Sequence, residues 1–119
     1  MLRIATFPPG TGDLHTPSRD CACCGARYPV RRRGMRLLSG DSLEGDICPE
    51  CVLQGPAGAA ARIRGRLLTL DDPGGDTVGG EDRTPWVQRM MRRARLLEET
   101  PSFSLVARQA AARETRERR

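Results

Sequence analysis

Five cysteines are the residues of this chain whose type and spacing most clearly point to chemistry. Four of them form two Cys-x-x-Cys pairs, Cys21 with Cys24 and Cys48 with Cys51, and 23 residues lie between the pairs. A two-residue gap lets a tight turn bring two sulfurs to one ion, and two such turns supply the four thiolates of a tetrahedral zinc site. We therefore predict one structural Zn²⁺ bound by these four cysteines.

The fifth cysteine and the single histidine are the alternative ligands. Cys23 is adjacent to Cys24 and two positions from Cys21, and neither spacing gives the two-residue gap, so we interpret Cys23 as a spare thiol. His15 lies in a segment rich in Pro and Gly and could replace a cysteine, although nothing in the sequence requires it. The competing interpretation, five small buried apolar residues, does not explain the paired spacing.

Catalytic groups are scarce in this sequence. Four thiolates leave zinc no open coordination position, so a site of this kind is structural. A catalytic triad would have to be built around one histidine, and the Gly pairs at 74–75 and 79–80 lack the spacing and the following Lys of a phosphate-binding loop. We predict that the protein is not an enzyme and has no small-molecule substrate.

The elements that position the cysteines are predicted as a β-hairpin between two turns. Residues 26–30 and 35–38 have the composition of two strands, with the Arg-rich turn 31–34 between them, and residues 39–46 are expected to be a loop that returns to the second cysteine pair. Gly25 and Pro49 are turn residues placed where the two cysteine knuckles bend.

This pattern resembles zinc-ribbon and treble-clef fingers, in which a knuckle, a β-hairpin and a second knuckle share one zinc. The resemblance covers about residues 20–70 and rests on four cysteines. In a treble clef the second knuckle opens a helix, whereas Gly55-Pro56 in this chain delays a long helix until Ala57. The sequence does not decide between a zinc ribbon and a treble clef.

Two helices are predicted after the finger, and we expect them to form a helical hairpin. Thr84-Pro85 is a favourable helix start, and Thr100-Pro101 ends that helix before Ser102 caps a second one. Apolar residues recur at helical spacing along the first helix. Such residues more often belong to a core than to a docking surface, but so short a chain could leave them exposed, to be covered by a partner protein. The candidate partner-binding residues are Trp86, Met90, Met91 and Leu97.

The distribution of charge divides the chain into blocks. Residues 71–82 contain five acidic residues and no Arg, and their Gly content predicts a flexible linker. We predict an irregular arm at 1–20, a zinc-finger domain at 21–70, this acidic linker at 71–82 and a basic helical segment at 83–119. The fold class is therefore a small zinc-stabilised α+β protein.

The basic residues suggest the partner. The formal net charge is +5, and every basic side chain is Arg, whose planar donors suit phosphate. Arg31, Arg32, Arg33 and Arg36 lie on or next to the predicted hairpin turn, where they would contact a phosphate backbone; the alternative is a solvated turn.

The leading hypothesis is a non-enzymatic, zinc-binding adaptor or regulator that binds DNA or RNA or a nucleic-acid-processing machine. The alternative is a protein-interaction subunit that docks on a larger complex through its C-terminal amphipathic helices. No apolar run approaches the length needed to cross a bilayer, and the N-terminus lacks the apolar middle of a signal peptide. We expect a cytoplasmic protein, in which reduced thiols favour metal binding over disulfides.

Overall fold

A computed structural model of the chain describes residues 1–7, 18–69 and 84–117. These ranges contain five strands followed by three helices. The strands are β1 (Arg3–Phe7), β2 (Ser18–Asp20), β3 (Arg27–Pro29), β4 (Gly34–Ser39) and β5 (Ser42–Asp46), and the helices are α1 (Pro49–Thr69), α2 (Thr84–Glu98) and α3 (Leu105–Glu117). The predicted small α+β class is confirmed. None of the three helices has the length and apolar character of a membrane span.

The strands form two antiparallel sheets. One has the order β1-β4-β5, and the other is the two-stranded ribbon β2-β3. The predicted hairpin between the regions of β3 and β4 is wrong in its pairing, since β3 pairs with β2 and β4 pairs with β5. Gly40, with φ of 61°, lies in the two-residue turn between β4 and β5, where a positive φ matches the twist of the strands. The segment 42–46, predicted as a loop, is therefore strand β5.

The predicted irregular arm at 1–20 also needs correction. Arg3–Phe7 pairs with β4, and Ser18–Asp20 forms one strand of the ribbon, whereas residues 8–17 lie outside the described parts. Close packing holds β1 on the sheet, because the Phe7 ring lies against Gly34 and occupies the space that a Cβ atom at that position would need. The backbone N–H of Leu2 also donates to Thr100 Oγ1 at 2.9 Å, which ties the N-terminus to the end of α2.

The first helix changes direction near its start. Gly55 has φ of 88° and ψ of 171°, so a short helical turn that begins at Pro49 is separated from the longer helical part that follows Pro56. This agrees with the prediction that Gly55-Pro56 delays the long helix. The second cysteine pair lies at the beginning of α1, with Cys48 just before Pro49 and Cys51 inside the first turn.

The other helices both pack on α1, and α3 also contacts β1. The two helices predicted after residue 83 are present. Each packs on α1, whereas we expected them to pack on each other as a helical hairpin. Ser104, and not Ser102, caps α3, since its Oγ accepts the backbone N–H of Ala107 at 3.2 Å. Phe103 precedes the helix and is buried.

A single hydrophobic cluster joins the sheet, the cysteine region and the three helices. Met35 and Leu37 of β4 and Ile63 of α1 are fully buried within it, as is Leu97 of α2. The predicted finger and the predicted helical segment therefore share one core. The predicted linker between them, residues 71–82, lies outside the described residues.

Candidate metal centre and basic cleft

The first cysteine knuckle closes the ribbon of β2 and β3. The backbone N–H of Cys21 donates to Ala26 O at 2.9 Å, and the N–H of Gly25 donates back to Cys21 O at 3.0 Å. Gly25 has φ of 81°, a left-handed conformation that a residue with a side chain rarely adopts. This tight turn directs Cys21 and Cys24 toward the second pair at the start of α1.

The four sulfurs of the predicted site lie together. The Sγ atoms of Cys21 and Cys51 are 3.7 Å apart, as are those of Cys24 and Cys48. All four ligand atoms lie within 4.8 Å of one another. A tetrahedron with metal–sulfur bonds of about 2.3 Å has edges of about 3.8 Å, whereas a disulfide bond measures about 2.05 Å. The four cysteines are therefore free thiols, and they could hold one metal ion.

Several hydrogen bonds converge on the sulfur of Cys21. The backbone N–H groups of Cys23 and Cys48 donate to Cys21 Sγ at 3.4 and 3.3 Å. Side-chain hydrogen bonds with Cys23, Cys48 and Cys51 lower the pKa of Cys21 well below its ordinary value. The bonds to Cys21 raise the pKa of Cys48 and Cys51. A bound cation would take the place of the protons shared among these sulfurs.

Arginines surround this cluster, a feature that the sequence analysis did not anticipate. Arg62 Nη1 donates to Cys51 Sγ at 3.2 Å, and this bond is the main reason that the pKa of Arg62 is raised. Arg66 donates to Cys23 O at 3.0 Å, and Arg93 donates to Ala22 O at 3.1 Å. Three guanidinium groups from α1 and α2 therefore hold the knuckle and place positive charge beside the sulfur cluster.

Cys23 is the cysteine that does not join the group of four. Its side chain is fully buried, and the pKa of its thiol is raised, chiefly because the thiol donates to Cys21. The prediction that Cys23 is a spare thiol agrees with this position. His15, the alternative ligand, lies outside the described residues.

The predicted basic turn is not the tip of a β-hairpin. Residues 31–33 connect the two sheets, and their backbone N–H groups all donate to the carboxylate of Glu114 on α3, at 3.1, 2.5 and 2.7 Å for Arg31, Arg32 and Arg33. Glu114 is 1 % exposed, so these bonds are made in the interior. The segment is consequently anchored by its backbone, while the three Arg side chains remain exposed.

Arg36, the fourth predicted phosphate contact, interacts within the sheet. Its guanidinium stacks on the Phe7 ring at 4.0 Å from the centroid, and its Nε lies 3.6 Å from a carboxylate oxygen of Asp46. We therefore assign Arg36 to the packing of β1 on β4 and remove it from the candidate phosphate-binding residues.

A cleft of about 310 Å³ opens beside the anchored segment. Its lining residues are Arg32, Arg33, Ala110, Arg113 and Glu114. Sequence analysis missed Arg113, although Ala110, Arg113 and Glu114 are spaced to share one face of a helix. That this face meets residues 31–33 depends on how α3 packs, which a local pattern does not reveal.

The predicted partner-binding stripe on α2 is divided between core and surface. Met90 is 3 % exposed and Leu97 is fully buried, so both are core residues. The prediction that they belong to a docking surface is wrong. Trp86 is partly buried against the core, whereas Met91 is 48 % exposed. Met91 lines an apolar groove of about 410 Å³ between α1 and α2, together with Arg64, Leu67, Leu68 and Val87.

No protein-family profile matches the chain, and no curated protein or solved structure shows significant similarity to it. A function must therefore be argued from the geometry of the cysteine cluster and of the basic cleft.

Proposed function

We propose that the cysteine cluster binds one structural Zn²⁺ through Cys21, Cys24, Cys48 and Cys51. The sulfur separations suit a zinc tetrahedron, and four thiolates are the ligand set of closed, structural zinc sites. Because the second knuckle opens α1, we further propose an arrangement of the treble-clef kind in preference to a zinc ribbon.

We propose that the protein is a non-enzymatic adaptor or regulator that binds nucleic acid, either free or within a nucleic-acid-processing machine. The observation that carries this proposal is the anchoring of residues 31–33 by Glu114. Anchoring of the backbone keeps Arg31, Arg32 and Arg33 together at the surface, and Arg32 and Arg33 line the cleft with Arg113. Clustered guanidinium groups of this kind neutralise phosphates, and such contacts dominate the affinity for nucleic acid.

A structural role for the metal agrees with this proposal. Four thiolates fill the coordination sphere of zinc, so the ion would stabilise the fold around the cleft and would not bind a substrate. We place the protein in the cytoplasm, where reduced thiols are maintained.

A salt titration of binding tests the proposal. Affinity of the zinc-loaded protein for a DNA or RNA oligonucleotide should fall as salt rises, and Arg31→Ala/Arg32→Ala/Arg33→Ala should weaken binding and flatten the slope. Arg89→Ala/Arg95→Ala/Arg108→Ala removes three other exposed arginines and is the matched control for net charge. Equal losses in the two triple variants, or no binding at low salt, would show that the proposal is wrong.

The second candidate function is docking of a protein partner, and the exposure of the groove between α1 and α2 supports it. Leu68 is 85 % exposed and lies in this groove beside Met91. Large apolar side chains grouped on a surface are typical of interaction sites. Under this hypothesis a partner co-purified from the native host should be lost with Leu68→Glu, while nucleic-acid binding should not depend on that change.

A further inference from the structure

We infer that the basic cleft binds a phosphate monoester, carried on the end of a nucleic-acid strand. This inference rests on the proposed function for the source of the phosphate, and it goes further by naming the group that enters the cleft. The monoester could also come from a free nucleotide, and the experiment below separates these two sources.

The first step concerns the carboxylate inside the cleft. Glu114 accepts three backbone N–H bonds from residues 31–33, so its negative charge is already compensated by the main chain. Among the described residues, neither Arg33 nor Arg113 has an ion pair. These two guanidinium groups are therefore available to an incoming anion.

The second step concerns charge. The two arginines available to an anion, Arg33 and Arg113, bring two positive charges to the cleft, while the charge of Glu114 is already met by the main chain. A phosphate monoester carries about −1.5 to −2 at neutral pH, whereas each phosphodiester of a continuous strand carries one negative charge. The cleft thus matches a monoester more closely than a single backbone phosphate.

The third step concerns shape. A cleft of about 310 Å³ lies at the lower end of the range for small-ligand sites. Arg33 and Arg113 line the cleft from different elements, the β3–β4 connection and α3, so one ligand can accept donors from both. A terminal phosphate has three free oxygens to accept such donors, while a backbone phosphate is linked to sugars on both sides. Chain ends are therefore preferred over internal positions.

Fluorescence anisotropy with the full-length zinc-loaded protein tests this inference. The probes are two labelled single-stranded oligonucleotides of one sequence, with a 5′-phosphate or a 5′-hydroxyl. AMP serves as an unlabelled competitor, and its direct binding is measured by calorimetry. We expect the 5′-phosphorylated strand to bind about tenfold more tightly, with weak competition by AMP. Arg33→Gln/Arg113→Gln should remove this preference. These changes leave the backbone N–H bonds to Glu114 in place, and Arg95→Gln/Arg108→Gln is the matched control.

The outcomes separate the inference from the proposed function. Equal affinity for the two oligonucleotides would overturn the inference and leave nucleic-acid binding intact. Binding of AMP that depends on Arg33 and Arg113, with no binding of either oligonucleotide, would support a monoester site for a free nucleotide and overturn the proposed function. Absence of binding by all three probes would overturn both.

Discussion

The backbone N–H of Arg33 donates to Oε1 of Glu114 at 2.7 Å across 81 positions of the chain. This bond and its two neighbours join the connection between the sheets to α3. A buried carboxylate on one helix thereby determines the course of the segment that bears three consecutive arginines. Stability and the proposed binding surface consequently depend on the same side chain.

Glu114→Ala should destabilise the protein by about 3 kcal/mol, because three backbone N–H groups would lose a charged acceptor in the interior. Urea unfolding with zinc in excess measures this change. Glu98→Gln is the control, since Glu98 pairs with Arg64 at the exposed surface, where ion pairs contribute little to stability, and this change should cost clearly less than Glu114→Ala. A loss for Glu114→Ala no greater than that of the control would contradict the role assigned to this carboxylate.

One zinc per chain is expected from elemental analysis, and removal of the metal should unfold the cysteine region. Cys48→Ser should abolish stoichiometric zinc binding, because Cys48 supplies one of the four sulfurs. Cys23→Ala is the matched control and should retain one zinc, since Cys23 stands outside the group of four. A folded, metal-free wild-type protein, or loss of zinc on Cys23→Ala, would disprove the assignment.

Arg62→Gln should weaken zinc binding by about tenfold, because it removes the N–H donor from Cys51 Sγ and leaves more negative charge uncompensated. Competition with a chromogenic chelator measures the affinity and the rate of metal release. Arg64→Gln is the matched control. Arg64 lies two positions further along α1 and pairs with Glu98 instead of a cysteine. Similar zinc affinities in the two variants would rule out a role for Arg62 at the metal.

Two glycines should respond in opposite directions to substitution by alanine. At Gly34 the new Cβ would overlap the Phe7 ring, which Arg36 covers, so Gly34→Ala should cost about 1–3 kcal/mol. At Gly65 of α1 no atom lies within 4 Å of the new Cβ, and Gly65→Ala should stabilise by about 0.5–1 kcal/mol. Thermal unfolding of both variants checks the signs. Tolerance of alanine at Gly34 would show that β1 is not held by this contact.

Much of the local structure could be predicted from the sequence. The Cys-x-x-Cys spacing identified four sulfurs that lie together, and Gly55-Pro56 marked the break in α1. The Thr84-Pro85 start of α2 was also found, because capping and proline effects act within a few residues. Between the cysteine pairs, the positions of β3 and β4 were close to correct, but β5 was predicted as a loop and the strand partners were wrong.

Pairing and burial required the tertiary structure. Whether Met90 is core and Met91 surface depends on the position of α1, since both residues satisfy the same apolar pattern. Arg31 to Arg33 do not form a hairpin tip because their backbone N–H groups are bound by Glu114. No local sequence pattern identifies this contact with α3. The sequence by itself determined which four cysteines come together, the break in α1 and the start of α2, because the turns and caps involved arise from short-range geometry. The folded chain decided the sheet order and the basic cleft, which arise from contacts between residues distant in the chain.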